Sequence, residues 1–149
     1  MNQIKESPLG TNKRNFSNMV DVRIILSALW IARMLSSLQG DSARLHDPVA
    51  LQELVSGTSD IPVTNAMVLI LSIIMAVPIV MSFLSLILKE KANRRANLST
   101  GIFFVAWELI FLIFVYSQDA AYELFWGFVY LLFVALVVVY AWKWPKQEA

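Results

Sequence analysis

The sequence predicts an all-α integral membrane protein, a bundle of four transmembrane helices with a short amphipathic helix in the first external loop. The composition is 58% hydrophobic and 15% charged, more apolar and less charged than soluble globular domains usually are. Residues 63–88 carry no charge, and residues 98–116 carry one, on Glu108. Apolar stretches of about 20 residues are long enough to cross the hydrocarbon core of a bilayer as helices.

The bundle is expected to occupy most of the chain. We assign residues 1–18 to a flexible cytoplasmic tail, residues 19–144 to the four-helix transmembrane domain and residues 145–149 to a second cytoplasmic tail. The first tail is polar and contains Pro8 and Gly10, which do not favour a packed core.

The first span is predicted over residues 20–39, and one of its faces carries small side chains. Ala28, Ala32 and Ser36 recur at steps of four, which places them on one side of a helix. Small residues at this spacing allow a second helix to pack closely, although the same pattern also arises from small residues scattered along a helix.

Arg33 lies deep in this first span. Counted from Arg23 at about 1.5 Å per residue, its Cα is about 15 Å deep, near the middle of a hydrocarbon core about 30 Å thick. Either Arg33 faces the interior of the bundle, or the span ends near Ser36 and the side chain extends outward to the polar interface.

Residues 40–62 form the first external segment, which contains the signals of a short helix. Asp47 is the expected N-cap, Pro48 suits the first helical position and Gly57 suits the end. The apolar face consists of Leu51, Leu54 and Val55. We expect this helix to lie on the outer surface of the membrane.

His46, the single histidine, precedes that helix among Asp41, Arg44 and Asp47. A histidine beside carboxylates can form a metal or proton site. Without a second nitrogen or sulfur ligand, however, a solvated or helix-capping role is favoured.

The second span is predicted over residues 63–88 and contains Pro78. At about 1.5 Å per residue a wholly helical span would be about 39 Å long, so it must tilt, kink or protrude. Proline supplies a kink because it frees a carbonyl about one turn earlier. Such a kink can shape a cavity or serve packing alone.

A basic hinge over residues 89–97 is predicted to be a tight loop that orients the whole bundle. Its cations are Lys89, Lys91, Arg94 and Arg95, and Lys or Arg beside a span resists translocation. Of the 12 Lys and Arg residues, only Arg33 and Arg44 fall outside the segments that we place on the cytoplasmic side. We therefore expect both termini in the cytoplasm.

The third span, over residues 98–116, carries Glu108, with Asn97 or Ser99 as the expected N-cap. Glu108 lies about 15 Å from the cytoplasmic end, the same depth as Arg33. The matched depth predicts an intramembrane ion pair, because an unpaired charge there is costly. The alternatives are a protonated Glu108 bonded to a carbonyl or hydroxyl, and a water-filled pore that Glu108 lines.

The fourth span is predicted over residues 124–142, after an external turn at residues 117–123. Gly127 and Ala135 are small residues within it. We expect this helix to face lipid or to form an oligomer contact.

The sequence offers little chemistry for catalysis. It has no cysteine and therefore no disulfide or thiolate metal site, and it has no phosphate-binding loop, Gly-rich dinucleotide motif or His-Glu-x-x-His. The cations form no basic patch for nucleic acid. We expect no enzyme activity, no metal and no cofactor, and we expect membrane lipids and either a second copy or another membrane protein as partners.

Residues 26–31, 92–98 and 140–144 resemble a family of small bacterial four-helix inner-membrane proteins catalogued only as a domain of unknown function. The resemblance covers nearly the whole chain after Met19. It implies a bacterial inner-membrane location and the four-span fold, and it implies no activity.

Two functions of different classes remain open. The first is a structural or accessory membrane protein that oligomerises and whose helices are tied by Arg33 and Glu108. The second is a small oligomeric ion channel or a proton- or ion-coupled transporter, in which Glu108 titrates and Pro78 opens a cavity.

Overall fold

The structure is a computed structural model that describes residues 8–57, 64–117 and 121–144, with side chains described from Val22 onward. The described residues form helices and no strand, which confirms the all-α prediction. The helices are α1 (Pro8–Arg44), α2 (Pro48–Ser56), α3 (Asn65–Ile87), α4 (Glu90–Tyr116) and α5 (Ala121–Lys143).

Four of these helices are long and apolar enough to cross a membrane. They are α3, α4, α5 and the part of α1 from Val22 to Arg44, each of 23 to 27 residues. At about 1.5 Å per residue each exceeds the thickness of a hydrocarbon core of about 30 Å. The chain therefore has the four candidate spans of a membrane protein.

Helix α1 begins earlier than the predicted first span. It starts at Pro8, inside the segment 1–18 that the sequence assigned to a tail, and it continues to Arg44. Residues 1–7 of that tail, and the whole predicted tail at 145–149, lie outside the described residues.

The basic hinge is not a loop, which corrects the sequence prediction. Helix α4 begins at Glu90, with Lys89 as N-cap and no side-chain hydrogen bond at the cap, so Asn97 and Ser99 lie inside the helix. The connection from α3 is confined to Leu88 and Lys89. The segment 90–97 contains neither Gly nor Pro, and Ala, Lys, Glu and Arg favour helix, so nothing in it ends the helix.

Helix α2 confirms the short helix predicted between the first two spans. Asp47 accepts a hydrogen bond from the Val49 N–H at 2.9 Å, and Pro48 is the first helical residue. Gly57 ends the helix with φ +66°, a conformation that favours glycine, and its N–H donates to the Glu53 carbonyl at 3.0 Å. Its apolar side chains are exposed, namely Leu51, Leu54 and Val55.

The packing order places α5 between α1 and α4, and α1 between α3 and α5. Close backbone packing joins α1 to α3, α1 to α5 and α5 to α4, with a weaker contact between α3 and α4. Helices α1 and α4 are thus diagonal neighbours. For the rest of the description, the hinge end of the bundle is the end at Leu88–Lys89, and the loop end is the end where α1 leads to α2.

The expectation that the fourth span faces lipid or an oligomer contact stays a prediction for one side of α5, where Phe125, Phe128 and Leu132 are exposed. Helix α5 buries Gly127, Tyr130, Val134, Val137 and Ala141. A Cβ on Gly127 would lie 2.6 Å from Leu112 Cδ2, so the missing side chain lets α4 approach. Helix α3, of the same length, is the more exposed one and buries Pro78, Met81 and Ser85.

Candidate functional site

An ion pair joins α1 to α4 across the diagonal of the bundle. Arg33 Nη2 donates to Glu108 Oε1, and each side chain is 2% exposed. The helices that carry them are not among the pairs that pack closely through their backbones, so the two long side chains span the distance between them. The structure thus brings together the two residues whose equal depth predicted a pair.

The ion pair satisfies only part of the Arg33 guanidinium. Its carbon Cζ lies 4.6 Å from the centroid of the Tyr130 ring and 5.8 Å from that of Phe104, at cation–π distance. Arg33 Nε and Nη1 are buried and find no hydrogen-bond partner among the described residues. Buried donors without acceptors are costly, so these N–H groups favour an oxygen from outside the chain.

A cavity of about 100 Å³ lies at the loop end of the bundle and reaches this ion pair. Four spans contribute to its lining. Its polar side chains are Arg33, Ser37, Asp41, Arg44, Glu108 and Glu123. Its aromatic walls are Trp107, Phe111, Trp126 and Tyr130. Such a mixture of apolar walls and a few polar groups is typical of ligand sites.

The charged groups of the cavity range from buried to exposed. Arg33 and Glu108 are buried, whereas Asp41 and Arg44 are exposed at the last turn of α1. Arg44 Nε lies 3.8 Å from Glu123 Oε1 on α5. The cavity therefore extends from the solvated end of α1 to the buried pair.

Gly40 sets the position of one aromatic wall. A Cβ at Gly40 would lie 1.7 Å from the hydroxyl oxygen of Tyr130, so only glycine allows α1 to come this close to that ring. Tyr130 also stacks on Trp126, with ring centroids 6.4 Å apart and planes at 21°. The wall that faces Arg33 is thus held from two sides.

A second polar cluster, the amide network, joins α1, α3 and α4 nearer the hinge end. It consists of the side chains of Trp30, Ser85, Asn93 and Asn97, all of them buried. Trp30 Nε1 donates to Asn97 Oδ1 at 2.7 Å, and Asn97 Nδ2 donates to Asn93 Oδ1 at 2.6 Å. Asn93 Nδ2 in turn donates to the Ser85 carbonyl at 2.6 Å.

The hydrogen-bond chemistry fixes the orientation of both amides. The Trp30 indole can only donate, so the oxygen of Asn97 must face it. The amide nitrogen of Asn97 then points to the oxygen of Asn93. Sequence reasoning treated Asn97 as a cap and missed the network. The spacing of four between Asn93 and Asn97, which places them on one helix face, is the signal that could have found it.

The predicted packing stripe does not form one contact surface within the chain. Ala28 is exposed, Ala32 is half-buried and Ser36 is buried. The Ser36 hydroxyl donates to the Ala32 carbonyl of its own helix at 2.7 Å. The side of α1 that carries Ala28 is therefore open to a neighbour outside the chain.

Pro78 lies inside α3 and is fully buried. The hydroxyls of the nearby serines do not donate to the carbonyl that the proline frees one turn earlier, but to other carbonyls of the helix. Ser72 donates to Val68 at 2.8 Å, and Ser82 donates to Ile79 at 2.7 Å. Pro78 does not line the cavity, so the structure separates the proline from the candidate site.

The four cations of residues 89–97, the segment that the sequence predicted to be a basic hinge, have two different environments. Arg94 is half-buried, and it donates from Nε to the Ala141 carbonyl at 3.1 Å and from Nη2 to the Trp142 carbonyl at 3.3 Å. It thereby caps the C-terminal end of α5, where carbonyls lack helical partners. The other cations, Lys89, Lys91 and Arg95, are exposed.

The His46 side chain bonds to a carbonyl in the last turn of α1. Its Nδ1 lies 2.8 Å from the Ser42 carbonyl, which can only accept, so Nδ1 donates. Within the described ranges, no three His, Cys, Asp or Glu side chains are grouped so that they could hold a metal ion.

Comparison with known proteins gives a family and no activity. A family described as "Family of unknown function (DUF6326)" matches residues 14–149. No curated protein and no solved structure matches the chain. The match confirms the predicted resemblance to a family without an assigned function, whereas the bacterial origin stays a prediction.

Proposed function

We propose that this chain, which belongs to the family of unknown function DUF6326, is a non-catalytic multi-pass membrane protein that acts as a structural or accessory subunit of an oligomer. One observation carries the proposal. The two buried polar clusters, the amide network and the Arg33–Glu108 pair, bond helices to one another, and both tie α1 to α4. Side chains used in this way contribute to holding a bundle together in lipid, where helices have little hydrophobic reason to associate.

The open side of α1 supports the oligomer. Ala28 is exposed and Ala32 half-buried, so small residues face outward where a second helix can come close. Either a second copy of the chain or another membrane protein would be the partner. We propose that the oligomer lies in the bacterial inner membrane, as the family resemblance implies, and that both termini are cytoplasmic, because exposed Lys89, Lys91 and Arg95 lie together at the hinge end.

The substitution Glu108→Gln tests the structural role. It leaves Arg33 buried without its carboxylate, so the protein should unfold at a lower temperature in detergent, and ion flux through liposomes should stay at background. A variant as stable as the wild type would contradict the role of the pair.

Ala28→Leu tests the oligomer separately. The larger side chain on the open side of α1 should reduce cross-linked oligomers in native membranes, while Ile31→Leu, an exposed neighbour, should not. Wild-type protein that is monomeric and free of partners in native membranes would contradict the proposal.

A second candidate function is a small oligomeric ion channel or a proton- or ion-coupled transporter. The cavity that reaches Glu108 favours it, because intramembrane carboxylates near water are typical of ion and proton pathways. Wild-type protein in liposomes should then carry a flux that Glu108→Gln abolishes. Absence of flux under proton, cation and anion gradients would exclude it.

A further inference from the structure

Arg33 lines the cavity at the loop end, and its guanidinium has buried hydrogen-bond donors. Arg33 Nε and Nη1 are without partners among the described residues, although the side chain is only 2% exposed. A guanidinium has no acceptor, so its complement must present an oxygen. The first requirement on an occupant of the cavity is therefore an oxygen within reach of Arg33.

Counted with every group ionised, the same lining carries one negative charge in excess. Two guanidiniums, Arg33 and Arg44, face three carboxylates, Asp41, Glu108 and Glu123. Glu108 and Glu123 each lie within 4 Å of an arginine, whereas Asp41 forms no ion pair among the described residues. A single positive charge on the occupant would neutralise the cavity, whereas an anion would add to the excess.

The walls are suited to an organic cation rather than a metal ion. Four aromatic rings line the cavity, those of Trp107, Phe111, Trp126 and Tyr130. Aromatic faces, above all those of Trp, attract ammonium groups, and since the Arg33 guanidinium already lies over Tyr130, the other three rings are the ones available to a ligand. The carboxylates of the lining are not grouped, among the described residues, so that three of them could hold a metal ion.

The size of the cavity limits the occupant. Its volume is about 100 Å³. An apolar cavity of about 150 Å³ holds benzene, so this one has room for about four or five non-hydrogen atoms. Larger drug-like cations exceed that limit.

We propose that this cavity binds a small organic monocation that carries a neighbouring oxygen, the chemistry of an amino alcohol such as ethanolamine. The ammonium group lies beside Asp41 among the aromatic walls, and the oxygen accepts hydrogen bonds from Arg33. The same group occurs in free amino alcohols and in the headgroups of amino phospholipids. The site does not depend on oligomerisation or flux, so it can be tested apart from the proposed function.

In the first test, the purified full chain in lipid-free detergent is titrated with ethanolamine. Binding is measured by calorimetry and by tryptophan fluorescence. Two probes of similar size each lack one feature, because ethylene glycol has no charge and propylamine has no oxygen. Ethanolamine should bind saturably. The affinity of each probe should be lower than that of ethanolamine by a factor of about ten or more. The proposal is wrong if ethanolamine gives no saturable signal, or if ethylene glycol binds as well.

Two matched variants locate the site. Asp41 is exposed, so Asp41→Asn should leave the fold intact while weakening ethanolamine binding about tenfold. Asp47→Asn is the control, because Asp47 lies outside the cavity and asparagine is an equally good N-cap. Equal affinity of the wild type and Asp41→Asn would overturn the assignment.

The source of the group is decided in nanodiscs. If the headgroup of a lipid supplies it, phosphatidylethanolamine in the disc should compete with free ethanolamine and weaken its apparent binding. If the free compound is the ligand, discs with and without phosphatidylethanolamine should give the same affinity. Loss of ethanolamine binding in both kinds of disc would count against the site.

Discussion

The amide network and the Arg33–Glu108 pair both connect α1 to α4. They differ in charge, in whether their hydrogen-bonding groups have partners, and in their surroundings. The network is neutral, and each of its amides has a partner at both ends. The pair is charged, leaves two nitrogens of Arg33 without partners among the described residues and borders a cavity. Between them lies Phe104, whose ring centroid is 5.7 Å from that of Trp30 and 5.8 Å from Arg33 Cζ.

The difference separates a part of the bundle suited to stability from a part suited to binding. Neutral hydrogen bonds between membrane helices contribute about 0.6 to 2 kcal/mol each. A buried ion pair is a weaker argument for stability, since apolar residues of similar volume often serve as well or better. A charged pair with unused donors is therefore the more informative feature about function.

The largest expected effect is an asymmetry between the two members of the pair. Glu108→Leu leaves an arginine that cannot lose its charge, so we expect a loss of about 3 to 5 kcal/mol in the free energy of unfolding. Arg33→Leu should cost less, because the remaining carboxyl can take up a proton. Unfolding in mixed micelles by increasing SDS measures both values.

The double variant Arg33→Leu/Glu108→Leu completes this test. Removing both charges together should restore most of the lost stability, and Glu90→Leu, near the start of the same helix, serves as the control for an added leucine. A double variant as unstable as Glu108→Leu alone would show that the pair is not the cause.

The next effect concerns the amide network. Asn97→Ala removes the acceptor of Trp30 and the donor to Asn93, so two buried groups lose their partners. We expect a loss of about 2 to 3 kcal/mol, measured by the same SDS titration. Asn65→Ala, at an exposed position at the start of α3, should change stability by less than about 0.5 kcal/mol. Similar values for both variants would mean that the network contributes nothing.

The four helices and the ion pair were predictable for simple physical reasons. Composition and charge-free length identify a span without knowledge of its neighbours. Arg33 and Glu108 could be matched because helical rise converts sequence position into depth, and two charges at one depth favour each other. The short helix α2 was predictable from Asp47, Pro48 and Gly57, which act locally.

The packing order and the amide network were not predictable in the same way. Nearly every residue of the last span is apolar, so the sequence does not distinguish a face against α4 from a face against lipid. Asn93 and Asn97 lie in a segment rich in cations, which is typical of a solvated loop. Only because α4 begins as early as Glu90 are their side chains on a buried helix face. The cavity was missed because Trp126 suits a membrane interface as well as a binding wall.

A smaller effect on stability is expected at Gly40, which lines the cavity next to the ion pair. In Gly40→Ala the new methyl group would overlap the Tyr130 hydroxyl, so the ring must leave its place over Arg33. Overpacking should outweigh the gain in helix propensity and cost about 1 to 2 kcal/mol. Gln39→Ala, an exposed neighbour on α1, is the control in the SDS titration. Unchanged stability of Gly40→Ala would show that Tyr130 moves freely.

The smallest effect distinguishes two adjacent arginines at the hinge end. Arg94 caps two carbonyls of α5, whereas Arg95 is exposed, so Arg94→Gln should cost about 1 kcal/mol and Arg95→Gln close to none. Both variants remove one positive charge from the same segment, so their effect on membrane orientation should be equal. Equal losses of stability would mean that the bonds from Arg94 to α5 contribute nothing beyond charge. A loss confined to Arg94 would show that one residue of an orientation signal also stabilises the bundle.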